Sequence, residues 1–87
     1  MSSENNGNKT IVPDKTIDCV GLFCPMPVVK TKLELEKMKY GEILEIIADD
    51  PGFLKDLPAW CQMTGEKCLA VFREGNGNLI KGYVKKT

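Results

Sequence analysis

The chemistry open to this chain rests on its four cysteines, Cys19, Cys24, Cys61 and Cys68, and on the absence of any histidine. Without histidine there is no Cys–His nucleophilic pair and no mixed Cys/His zinc site. A zinc site of cysteines alone would have to join the C-x4-C pair Cys19/Cys24 to the C-x6-C pair Cys61/Cys68. The second spacing falls outside the usual C-x2–4-C, so no metal is expected. What remains is thiol chemistry, and Cys24 stands apart because Pro25, Met26 and Pro27 follow it.

Proline suits the first turn of a helix, where its fixed φ is already helical and its missing N–H had no partner. It also drives the residue before it out of the α region, which is the conformation of an N-cap. The run therefore predicts Cys24 at the N-cap, Pro25 at N1 and Pro27 at N3. The sulfur would sit at the positive end of a helix, worth roughly half an elementary charge, and its thiolate would be favoured over the thiol. With no N–H on Pro27, the Met26 amide is the expected local donor to the sulfur. Prolines at both N1 and N3 make a merely capping thiol an odd choice, since the N3 amide is a usual capping donor. An exposed, activated nucleophile is the reading these residues support.

Elements on either side must hold that thiol. Lys15–Val20 alternates as a strand, with Ile17 and Cys19 on one face and Asp18 on the other, and Gly21 allows the turn toward the helix. From Pro25 to Met38 the apolar stripe is Val28, Thr31, Leu35 and Met38. A second cluster, Met26, Val29 and Leu33, is expected to be partly exposed. Gly41 is the expected C-terminal glycine. Glu42–Ala48 is the strongest strand, with Leu44, Ile46 and Ala48 toward the helices and Glu45 away. Asp49-Asp50-Pro51-Gly52 reads as a capping turn. Pro58 predicts a break, so the second helix is placed from about Leu57 to Thr64, with Leu57, Trp60 and Cys61 inward and Gly65 as its stop. Lys67–Arg73 and Leu79–Lys85 form a hairpin. The order βαβαββ implies a right-handed parallel crossover and a mixed four-stranded sheet with two helices on one face, a two-layer α/β sandwich of the α+β type.

The bulk properties narrow the class. Eighty-seven residues make one domain, with 12 basic and 12 acidic residues and no net charge. Nothing here suits direct nucleic-acid binding, and no apolar run approaches a membrane span. Residues 1–14 are polar and rich in Ser, Asn and Gly, an expected disordered tail ahead of a domain over 15–87. The tail has no signal-peptide core, so a reducing cytoplasmic setting with free thiols is expected. Cys61 and Cys68 read as small buried hydrophobes, as do the surroundings of Trp60 and Met63 as core. Cys19, five residues before Cys24, is the possible second thiol. Its alternation with Ile17 places it on the buried face, so it is not expected to be an obligatory resolving cysteine.

Asp18-Cys19-Val20-Gly21-Leu22-Phe23-Cys24-Pro25-Met26-Pro27, with Gly41-Glu42, Ala48-Asp49-Asp50-Pro51, Asp56-Leu57-Pro58 and Trp60-Cys61, resembles the TusA/SirA-like sulfur-carrier family over about Thr16 to Lys86. The Cys-Pro-x-Pro motif after Gly-Leu-x is its specific part. The resemblance implies a persulfide carried on Cys24, a sulfurtransferase-type role without a cofactor, and a place in tRNA thiolation, sulfur oxidation or cofactor sulfur metabolism. It also implies a sulfur-donor protein, such as a cysteine desulfurase or rhodanese-like protein, and a sulfur-acceptor protein. These partners would dock transiently on a monomer around Phe23, Cys24 and Met26. Where many members carry a histidine after the second helix, this chain has Glu66. The alternative on the same fold is a thiol-based redox or regulatory interaction module that delivers no sulfur.

Overall fold

The computed structural model describes residues 11–23, 25–75 and 77–87. Residues 1–10 of the expected tail therefore lie outside the described residues. Strand β1 (Lys15–Asp18) leads to helix α1 (Met26–Glu36), strand β2 (Ile43–Ala48) and helix α2 (Phe53–Thr64). Strands β3 (Lys67–Arg73) and β4 (Ile80–Lys85) complete the chain. In the sheet the order is β1-β2-β4-β3, with β1 parallel to β2 and the other neighbours antiparallel. This is the expected mixed sheet, and β2 and β4 are its central strands. Asp14 ties the entry to β1 into it, its N–H donating to the Ile43 carbonyl at 2.8 Å and its Oδ2 accepting from the Ile43 amide at 2.8 Å.

Period-two alternation sorts the side chains of β2. Leu44, Ile46 and Ala48 are fully buried beneath the helices, whereas Ile43, Glu45 and Ile47 are half-buried on the opposite face. Leu35 of α1 and Phe53, Leu57 and Cys61 of α2 close the core over Leu44, Ile46, Ala48, Ile80 and Val84. One row across the sheet runs Ile17, Ile46, Gly82, Val71. Gly82 makes a notch in that row, into which Leu57 and Phe53 of α2 descend. The other face carries a polar network. Tyr83 Oη donates to Glu45 Oε2 at 2.5 Å, Thr16 Oγ1 donates to Glu45 Oε1 at 2.9 Å, and Tyr83 stacks on Phe72 at 6.1 Å between ring centroids.

Both helix boundaries correct the sequence reading. α1 stops at Glu36 rather than Met38, because Lys37 N–H turns to Glu34 O and Met38 N–H to Leu35 O at 3.0 Å each, tightening the last turn. Gly41 does not cap the helix; it sits at φ +90° in the turn before β2, its N–H bonded to Lys86 O at 2.8 Å. α2 begins at Phe53, four residues before the expected start, and runs through Pro58 without a break. Proline inside a helix costs about 3 kcal/mol. Against it, Phe53, Leu57 and Cys61 are four residues apart on one face and all buried. Burying a Leu or Phe side chain contributes about 1.5–3 kcal/mol each, so packing outweighs propensity. Gly65 ends α2 as expected, at φ +86° with its N–H on Cys61 O at 2.9 Å.

Candidate functional site: the loop and helix start around residues 19–27

Strand β1 ends at Asp18, and the chain turns toward α1 through a loop fixed at several points. The Val20 amide donates to Asp18 Oδ1 at 2.9 Å, and the Leu22 amide donates to Cys19 O at 3.1 Å. Gly21 adopts φ +87°, a conformation a side chain would strain. Its N–H donates to Asp49 Oδ1 at 3.0 Å, across from the end of β2. Leu22 packs against the core, while Phe23 stands out with 75% of its surface exposed. Cys24 itself lies outside the described residues, and so does the expectation of its outward sulfur.

Beyond it, the frame of the helix start shifts by one from the expected one. Pro25 occupies the cap position with φ −92° and ψ 12°, which makes Met26 N1 and Pro27 N2. Proline lacks an N–H in either frame, so both registers suit it locally. The Phe23 carbonyl decides between them by taking the Met26 amide at 2.8 Å. That bond also corrects the expected role of Met26, whose N–H is committed to backbone rather than left for a sulfur. Pro27 is buried, and its carbonyl accepts from the Thr31 hydroxyl at 2.8 Å, which satisfies the one polar side chain fully buried among the described residues.

The apolar stripe of α1 lies as expected, with Thr31 and Leu35 buried and Val28 and Met38 packed against the core. Met26, Val29 and Leu33 are exposed by 44%, 38% and 52%. They continue the apolar surface from Phe23 along the outside of the helix. On its other flank a groove of about 340 Å³ runs between the two helices, lined by Pro25, Val28, Asp56, Ala59, Trp60 and Met63. Met63 is 79% exposed and so lies on the surface rather than in the expected core, whereas Trp60 is half-buried and packs against the core as expected. The sequence also concealed Asp49. It does not cap α2, whose N-cap is Gly52 with no side-chain cap bond, but reaches back to the loop before Cys24. Only the Asp-Asp pair itself signalled it, and local capping was the simpler reading of that pair.

The remaining thiols are withdrawn. Cys19 is fully buried on the helix-facing side, and burial pushes its thiol up. Cys61 is 2% exposed, and burial pushes its thiol up to about 12. Cys68 is half-buried and likewise raised by burial. Among the described residues, no helix is long and apolar enough to cross a membrane.

A two-helix, four-stranded mixed sheet of this order is the fold of a SirA-like protein from Desulfitobacterium hafniense. That structure superposes with a TM-score of 0.71 at 24% identity, over 82% of this chain and 95% of that one. Residues 15–86 match the family model described as sulfurtransferase TusA, and the chain belongs to that family. Among its relatives, the sulfur carrier protein TusA of Allochromatium vinosum is 39% identical over 62 residues, covering 71% of this chain and 82% of that protein. YrkF of Bacillus subtilis is 43% identical over 70 residues, 80% of this chain. A protein of Aquifex aeolicus is 40% identical over 78 residues, 90% of this chain. The chain spans only 37% and 39% of the length of the last two.

Proposed function

We propose that this chain is a sulfur carrier that accepts sulfane sulfur as a persulfide on Cys24 and hands it to a thiol of an acceptor protein. The observation that carries the reading is the contrast among the thiols: Cys19, Cys61 and Cys68 are buried or half-buried and all raised by burial, while Cys24 falls between the exposed Phe23 and Met26. In loading, the Cys24 thiolate attacks the terminal sulfur of a donor persulfide. The new sulfur–sulfur bond forms on Cys24, the donor's own sulfur–sulfur bond breaks, and the donor leaves as a thiolate. Delivery repeats the exchange, with an acceptor thiolate attacking the terminal sulfur and Cys24 as the leaving thiolate. No general base is needed, provided Cys24 ionises near neutral pH. The field at the start of α1 favours that ionisation and steadies the anionic persulfide.

The donor and acceptor are proteins that bring their own cysteine to the surface formed by Phe23, Met26 and the groove of Pro25, Val28, Trp60 and Met63. A cysteine desulfurase or a rhodanese-like protein has the chemistry of the donor. Incubation with a cysteine desulfurase and cysteine tests the reading by intact mass. The wild-type chain should gain one sulfur atom, and Cys24→Ser should gain none while keeping its circular dichroism spectrum. Equal loading of the two chains overturns it.

A further inference from the structure

Strand β3 is the longest of the sheet and forms the edge opposite β1. Its middle is apolar, with Cys68, Leu69, Ala70 and Val71 half-buried and Phe72 exposed. The Glu74 amide donates to the Leu79 carbonyl at 2.8 Å, in line with the β3–β4 ladder. Antiparallel bonding alternates between the two sides of a strand. The N–H and C=O groups of Phe72 therefore turn to β4, and those of Val71 and Arg73 turn to the free edge. Among the described residues no strand pairs with them. The first part of this edge is blunted, by Lys67 and by a register shift between Cys68 and Ala70. From Ala70 to Arg73 the ladder is regular and its outer side stays open.

Charge sorts the possible occupants. Lys67 faces Lys85 across the ladder, and both are exposed, as is Arg73 at the other end. Lys67 and Arg73 make no ion pair among the described residues. The carboxylates that flank the strand are engaged elsewhere. Glu66 accepts the Thr87 amide at 2.9 Å, and Glu74 pairs with Lys81 at 3.3 Å. A second copy of the chain paired antiparallel through β3 would set Lys67 against Arg73. Paired parallel, it would set each cation against its own counterpart. Like charges directly opposite are destabilising, so neither arrangement suits the edge. A strand with acidic ends meets it with opposite charge at both.

We propose that the outer edge of β3 takes up an extended segment of a partner protein as an added strand, apolar in its middle and acidic at both ends. The main chain of that segment bonds the outward groups of Val71 and Arg73, which supplies affinity. Its carboxylates, beside Lys67 and Lys85 at one end and Arg73 at the other, supply selection. Because β3 and β1 are opposite edges of the sheet, this surface is separate from the loop that leads from β1 to Cys24. The inference does not depend on persulfide loading.

The experiment uses the isotopically labelled chain and a blocked peptide of alternating valines and threonines with two glutamates at each end. Amide spectra follow the titration and give the dissociation constant, and hydrogen exchange is then read at about ten times that concentration. Exchange at Val71 and Arg73 should slow by about tenfold, as mass action requires, while Phe72, already bonded to β4, changes far less. The same peptide with lysines in place of the glutamates should bind the wild-type chain at least about tenfold more weakly. The double variant Lys67→Glu, Arg73→Glu, changed only at exposed residues, should reverse that preference while keeping its circular dichroism spectrum. No binding of the glutamate-ended peptide to the wild-type chain up to about 1 mM overturns the proposal. So does equal binding of the lysine-ended peptide, or slowed exchange at Thr16 and Asp18 of β1 in place of Val71 and Arg73.

Discussion

Adding one methyl group at Gly82 should test how closely α2 sits on the sheet. A Cβ at this position would overlap Leu57 Cδ2 and lie 3.2 Å from Phe53 Cε2. Both side chains are fully buried, so Leu57 must leave its rotamer or α2 must rise. Overpacking of a filled core costs about 1–3 kcal/mol. Replacing glycine in a strand recovers about 0.5–1 kcal/mol of chain entropy, so Gly82→Ala loses about 1 kcal/mol at the middle of these ranges and about 2.5 kcal/mol at most. In a domain of this size each kcal/mol moves Tm by about 4–8 °C, so thermal unfolding followed by circular dichroism should show a drop of about 4–8 °C at that middle value. Leu57→Ala empties the space the methyl group needs, at about 2–5 kcal/mol on its own. The double variant should therefore be more stable than the two single losses predict, by at least about 0.5 kcal/mol. A Gly82→Ala chain as stable as wild type, or strict additivity in the pair, would refute the notch.

Three further outcomes follow from the same geometry. Asp49→Ala removes the acceptor of the Gly21 amide, and hydrogen exchange at Gly21 should quicken with only a small change in Tm; Asp49→Asn, which keeps an oxygen acceptor, should largely restore protection, and equal protection in all three chains would refute the tether. Burial first, and then the bond to Glu45, push the Tyr83 hydroxyl up to about 12. The unfolded chain releases that proton near its ordinary value of about 10, so the folded state binds more protons between those pH values and stability falls as pH rises through the window. Denaturant titrations should show the fall in wild type, with Tyr83→Phe lacking that part of it; parallel curves would contradict the assignment. Finally, brief treatment of the folded chain with iodoacetamide near neutral pH should modify Cys24, with a rate inflection below the roughly 8.5 of a free cysteine. The buried Cys19 and Cys61 should react only after unfolding and the half-buried Cys68 far more slowly than Cys24, and labelling of Cys19 at the Cys24 rate would show that burial does not protect it.

Much of the fold was legible in the residues because local rules act on them directly. Alternation in Glu42–Ala48 placed Leu44, Ile46 and Ala48 against the helices and Glu45 away from them, and the structure agrees. The same rule put Cys19 beside Ile17 on the buried side. The prolines at 25 and 27 announced a helix start whatever its frame, and Gly65 announced a helix end. These signals are steric and short-ranged, so a sequence carries them openly.

What only the tertiary structure decided are the contacts between distant residues. Pro58 fits inside α2 because Phe53, Leu57 and Cys61 are held down by a sheet that no local pattern displays. Asp49 meets Gly21 across 28 positions of sequence, and Gly82 matters only because α2 descends on it. Propensity and periodicity govern each element by itself; a hydrogen bond or a van der Waals contact between elements exists only once the sheet has brought them to within a few ångströms.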